Sequence, residues 1–474
     1  MNNVNDQTER EAFFGTLPIM RKDRIYGFLD ALLVLSGYCI ATWSYTQGSY
    51  LATLVGFRQL LIGAFFGALL MLIIYQLPVI LSVRYGIDIW IWLRTVFGGK
   101  GTVLVTVVII IINYPWYAVC ADLFASSMGN LCGLFGLELP EAAHTVLAIL
   151  CVVLGTLIAY RGLGAITWTT RVLVPLLLIL GAVVTVIGFV SVPFDVIWEF
   201  QPERPEGEPN IIPYIMSVEA NFAFVITLVG GMAEVPRLCK SERSGYWAGV
   251  LGQGLAGSFF VVVGAVMAIA TQYVTGEMTD DPTLMLAMFS VPALALSSLM
   301  LVAFANIGTQ AVGSYIYGVM LKSSFRRADY RIMIVILGIY VTLLCIWGKI
   351  VEYFGSFLTV SACIYAPLAA LLFTDFFIVR RQKFSLRSAF MLNGHTAYRF
   401  TGGFNIVGLI CLAAGAAISL LIYDPVSTEI HCMPLFYLTP TGASFIGTAV
   451  LYFALSRIPA INRYLMKDRG ELSV

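Results

Sequence analysis

Long apolar runs, broken by short polar clusters, set the pattern of this chain. A helix needs about 20 apolar residues to cross the hydrocarbon core of a bilayer. Twelve such runs can be placed, at 27–55, 58–83, 102–132, 144–160, 168–192, 211–236, 245–274, 295–320, 332–348, 351–378, 405–423 and 441–457. They are continuous rather than alternating, so helices are expected and a barrel is not. Between the seventh and eighth, DPTLMLAMFSVP (281–292) is expected to form a short extra helix on one membrane face.

Composition agrees. Of the 474 residues, 59% are hydrophobic and 12% charged, and the mean hydropathy is +0.87, far from a soluble domain. The net charge of +1 points to no nucleic-acid partner; the lipid bilayer is the expected surrounding. Orientation follows from the loops. With the N-terminus in the cytoplasm, 25 of the 28 Lys and Arg residues fall on inner segments; Arg58, Arg204 and Lys349 fall outside. Both termini are then cytoplasmic, in a multi-pass protein of the plasma (bacterial inner) membrane. Cys132 and Cys432 lie near outer ends and are close enough in depth to pair. His144, His395 and His431 form no metal-ligand spacing, and no nucleophile–base constellation suggests an enzyme.

The informative positions are the polar ones inside apolar runs. The first span reads LSGYCIATWSYTQGSY (35–50) and the sixth SVEANFAFVITLVGGMAEVPR (217–237), each rich in small and polar residues, as unwound helices require. Their places as first and sixth predict a five-plus-five inverted repeat. The boundaries expected are a tail at 1–26, a first repeat at 27–192, an outer loop at 193–210 and a second repeat at 211–378. An inner loop at 379–404, two further spans at 405–457 and a tail at 458–474 complete the chain.

The third span carries IIIINYPWYAVCAD (109–122). Asn113, Trp116 and Cys120 share a helical face, and an amide beside an indole suits a flat polar heterocycle; helix–helix glue is the other reading. Pro115 is expected to kink this helix and free a carbonyl. In the eighth span, Asn306, Thr309 and Gln310 form a polar face whose neutral oxygens suit Na⁺. Buried acids are expected to be functional by default. Asp30, Glu234 and Asp375 lie near Arg24, Arg237 and Arg380, where ion pairs are expected; Glu219 is deeper, with no base nearby in sequence.

Several stretches resemble the nucleobase:cation symporter-1 family, which includes cytosine, purine, allantoin and hydantoin permeases. They are RYGIDIWIWLRTVFGGKG (84–101), EVPR (234–237), DFFIVRR (375–381) and YRFTGGFN (398–405). The resemblance implies an all-α, LeuT-like fold of ten core helices plus two, and cation-coupled import of a small heterocycle by alternating access. It implies that Trp116 stacks on the substrate, with Asn113, Cys120, Phe224, Thr227, Glu219 and Asn306 around it. It also implies a Na⁺ site formed by the backbone of Gly37 and Ile40 with Asn306, Thr309 and Gln310; H⁺ carried by Glu219 is the alternative. A cation-coupled amino-acid or amine permease of the same fold is the rival function. No obligate protein partner and no cofactor besides the coupling ion are implied.

Overall fold

The computed structural model describes residues 17–466, except 41, 205–208, 210, 279–281, 288–291, 326, 392–397 and 428. Every regular element among them is helical; the sole bridges are Tyr26 with Cys239 and Tyr423 with Ile430. Among the described residues, eight helices are long and apolar enough to cross a membrane, or nine if the pair Pro440–Arg457 and Pro459–Leu465, bent by 102°, is one span. Phe28–Gly37, Ile211–Ile226 and Ile406–Ile422 are shorter apolar helices. They fall where the first, sixth and eleventh spans are expected. Val190, Phe66 and Leu421 are 80%, 74% and 71% exposed, as side chains facing lipid tails would be. His395 and the end of the DPTLMLAMFSVP stretch lie outside the described residues; its first part forms the helix Pro282–Ala287.

Both expected breaks are present. The first span is two helices, Phe28–Cys39 and Thr42–Leu54, with Ile40 at φ −80°, ψ 57° between them. The sixth is Ile211–Ile226, a 3-10 turn Thr227–Gly230 and a short helix Gly231–Glu234. The third span also differs from a plain crossing. It runs from Ile89 to Gly133, longer than the apolar run alone suggested, and is interrupted at Gly98 and again at Tyr114–Pro115. The carbonyls released upstream of Pro115 find partners: Tyr340 Oη donates to Ile111 O at 3.0 Å and Ser361 Oγ to Ile112 O at 3.2 Å. The carbonyl expected to be freed is therefore freed, and satisfied.

The stretches 84–101 and 398–405, distant in sequence, meet in space. Gly98 leaves helical geometry at φ +76°. The side chain of Asn405 donates to Val96 O at 2.7 Å and its backbone N–H donates to Phe97 O at 2.8 Å. Arg94 donates to Ser323 O at 2.7 Å and Ala389 O at 2.9 Å, tying the third span to the eighth and to the loop before the eleventh.

The ion pairs follow the sequence with one correction. Glu234 pairs with Arg237 at 3.3 Å and Asp375 with Arg380 at 2.8 Å, all four side chains buried. Asp30 pairs with Arg171 at 2.7 Å, not with Arg24. Arg24 instead donates to Arg84 O, because the chain between them folds back at this end of the bundle. Cys132 and Cys432 are both free thiols.

Alanine at Gly98 would combine a left-handed φ with a Cβ 2.6 Å from Gly403 O. Gly98→Ala is expected to destabilise by more than about 1 kcal/mol, lowering the melting temperature of the detergent-purified protein. Gly99→Ala, with nothing within 4 Å of the new methyl, should melt as the parent does.

Candidate substrate crevice

Asn113, Trp116, Phe224 and Thr227 are brought together, as the sequence suggested, in one crevice between the third and sixth spans. Trp43, Tyr117 and Leu228 complete its lining. Trp43 stands just past the first-span break, so the unwinding at Ile40 is what delivers an indole here. Its ring meets Trp116 edge-on at 5.2 Å between centroids; Phe357 and Phe224 meet Trp116 edge-on at 5.1 and 6.2 Å. These rings close the crevice to about 10 Å³, room for no more than about one water. A substrate therefore enters only when a ring swings away.

Asn113 is 2% exposed. Its Nδ2 donates to Tyr317 Oη and, at 3.3 Å, to Thr227 O, a carbonyl freed by the sixth-span break. Tyr317 Oη lies 3.4 Å from Tyr365 Oη of the tenth span. With the donor side of the amide engaged, Oδ1 is left buried and accepts no hydrogen bond from the described residues. A buried polar atom without a partner costs about 1–3 kcal/mol, and a ligand N–H would relieve it. Tyr317 was not singled out from sequence; the clue was its place two helical turns beyond Gln310 on the polar face of the eighth span.

Tyr117 owes its position to Gly313. The phenol ring lies directly on that glycine, so a methyl group at 313 would overlap it.

Other expected residues lie elsewhere. Cys120 is fully buried beside Cys151 of the fourth span and does not line the crevice. Glu219 caps the last span instead: its carboxylate accepts from Thr441 N at 2.9 Å and Thr441 Oγ1 at 2.6 Å, at the start of Pro440–Arg457. A carboxylate suits that helix N-terminus, where amides lack partners. It lines a separate cavity of about 20 Å³ with Tyr50, Gly355 and Thr359.

The proposed ion ligands divide. Ile40 packs in one apolar cluster with Val302 and Ala305 of the eighth span. Thr309, one turn after Ala305, shares that side of the helix. Gln310 is turned the other way, with its Cβ and Cγ against Gly155 of the fourth span. Asn306, one turn before Gln310, shares Gln310's side of the helix and is fully buried outside the crevice lining. Gly37 lies in the last turn of the first half-helix, half-buried. Of the expected ion ligands, Gln310 thus packs its side-chain carbons against the fourth span, while Thr309 follows Ala305 of the cluster that holds Ile40.

Two outcomes follow from this geometry. Gly313→Ala is expected to push Tyr117 into the crevice and weaken ligand binding at least about tenfold, measured by ligand-induced thermal shift. Glu219→Ala is expected to lower the melting temperature, by the roughly 1–3 kcal/mol of lost cap bonds, yet leave ligand affinity intact. Loss of binding at unchanged melting would put Glu219 in the substrate path.

Residues 18–440 match the family model described as permease for cytosine/purines, uracil, thiamine, allantoin. Among curated relatives, a hydantoin permease of Microbacterium maritypicum is 23% identical over 72% of this chain and 71% of its own length. A purine-uracil permease of Arabidopsis thaliana is 18% identical over 72% of this chain; the match spans only 60% of that relative. Among solved structures, the nucleobase-cation-symport-1 transporter Mhp1, closed with bromovinylhydantoin bound, superposes at TM-score 0.74, with 18% identity over 96% of this chain and 99% of that one. MhsT, in complex with L-phenylalanine, superposes at 0.59, with 12% identity over 91% of this chain and 100% of that one. The chain belongs to the cytosine/purine permease family and has the LeuT-like fold; the family is one of transporters, not enzymes.

Proposed function

We propose that this member of the cytosine/purine permease family is a cation-coupled symporter that imports a nucleobase or a related flat heterocycle, such as a hydantoin or allantoin, by alternating access. The observation that carries the reading is the crevice itself: an indole face at Trp116 beside a buried amide acceptor at Asn113. A heterocycle stacked on Trp116 would offer a ring N–H to Asn113 Oδ1. Because Tyr317 and Thr227 hold Nδ2, the substrate edge here is a donor rather than an acceptor. Imide and amide N–H groups of oxidised purines, uracil-like rings and hydantoins meet that requirement. The ring N1–H and the amino group of cytosine also offer donors, so this acceptor alone does not separate cytosine from them.

The coupling ion is proposed to be Na⁺, bound by backbone carbonyls near Gly37 and Ile40 with the Thr309 hydroxyl. Coupling arises because the same first-span break supplies both the ion's carbonyls and Trp43 of the crevice. The basic end of the bundle is proposed to face the cytoplasm. Segments carrying the inner Lys and Arg residues are bonded to one another there, as Arg84 to Glu242 and Arg380 to Leu465 O. Arg58 pairs with Glu199 between two segments assigned to the opposite end.

A thermal-shift panel on purified protein tests this, with nucleobases, hydantoins, allantoin and amino acids in sodium or potassium. A ligand bound only to the folded state raises the melting temperature by mass action. A shift with one heterocycle, larger in sodium, is expected, since coupled binding is reciprocal. It should vanish in Trp116→Ala, which is expected to stay folded and inserted at a lower melting temperature because a buried ring is lost. In Tyr317→Phe, which frees the Asn113 amide to turn, affinity should fall roughly fivefold, about 1 kcal/mol. A response to amino acids alone would overturn the heterocycle assignment. A heterocycle shift indifferent to sodium, with pH-dependent uptake lost in Glu219→Gln, would move coupling to protons.

A further inference from the structure

Another cavity lies away from the crevice, at the basic end of the bundle. It measures about 760 Å³, within the range of small-molecule sites. Its walls come from the third span on both sides of the Gly98 break, the end of the eighth span and described residues of the loop before the eleventh. Arg94, Lys100 and Arg399 line it, and no Asp or Glu is among the described residues of the lining. Thr102, Ser324 and Ser388 add hydroxyls.

The three cations are held differently. Arg94 is 5% exposed and pinned by Ser323 O and Ala389 O, so its charge is fixed in the cavity wall. Asp88, which interacts electrostatically with Arg94, spends its hydrogen bonds elsewhere, accepting from Ile91 N and Ser323 Oγ at 2.6 Å each. Lys100 and Arg399 are exposed at the mouth, and Lys100 forms no ion pair with the described residues. A concave site with cations of one sign, and low-dielectric walls behind them, concentrates anions.

From this arrangement we infer that the cavity is a binding site for a phosphate group, separate from the transport path. Guanidinium groups match phosphate oxygens in pairs, and a lysine adds a mobile point charge. The neighbouring turns of the third span expose Leu104 (50%) and Val107 (39%) toward lipid. The mouth therefore opens beside acyl chains, where a phospholipid headgroup and a free phosphate are both within reach. An occupant would bridge the third span, the eighth span and the loop between the tenth and eleventh. It would thereby hold these three elements together.

The test uses the full-length protein in neutral detergent. Its melting is followed against inorganic phosphate, with chloride at matched ionic strength, and against phosphatidylglycerol, with phosphatidylcholine as control. A saturable rise of several degrees is expected with at least one of the two anionic phosphates beyond its control. The rise should fall by more than half in the exposed double variant Lys100→Ala/Arg399→Ala and persist in Lys100→Arg/Arg399→Lys. A rise with phosphatidylglycerol alone assigns the site to a lipid headgroup; a rise with both assigns it to phosphate in general. No rise beyond the controls, or a full rise retained in the alanine double variant, overturns the site.

Discussion

In a bilayer interior no water is at hand for a broken helix, so every released backbone group needs a partner from the protein. The architecture of this chain depends on that constraint. At the first-span break, Ser44 Oγ donates to Cys39 O at 2.5 Å. At the sixth, Tyr75 Oη donates to Ile226 O at 2.7 Å and Asn113 to Thr227 O. At Gly98, Asn405 serves two carbonyls together. Each break is thus also a joint between spans, and the polar residues that look anomalous in an apolar run are the ones that close these joints.

The same logic joins structure to transport. Asn113 is at once a cap for the sixth-span break and a wall of the crevice. A substrate that engages its free oxygen acts on a residue already bonded to the sixth span and, through Tyr317, close to Tyr365 of the tenth. The unwinding at Ile40 likewise sets both the direction of Trp43 and the carbonyls available to an ion. A ligand and an ion bound as proposed would share residues with the helix breaks, a physical route for one to bias the others.

The charged residues do a different task. Asp375, fully buried, is bonded to Arg380, Tyr452 and Thr95, and Arg380 reaches Leu465 O beyond the last span. Buried pairs of this sort add little net stability, because desolvation offsets attraction, but removing one partner is costly. Their effect is to specify which ends meet. Glu219 performs the same service at the opposite end, fixing the start of the last span against the sixth.

Periodicity and composition determined the helical class, the positions of the twelve apolar runs, the two broken spans and the pairing of Trp116 with Asn113. These are local properties: a run length, a cluster of small polar residues, a three-residue spacing on one helix. Tertiary structure alone decided which neighbours those residues meet. Nothing in 217–237 says that Glu219 finds the amides of Thr441, 222 residues later. Nothing in 304–315 says that Gln310 packs against Gly155 while Ala305 joins the cluster of Ile40. Trp43, Tyr117 and Tyr317 enter the site because long-range packing aims them there. A side chain's face is written in its own helix, but the partner across that face is set by how the helices cross.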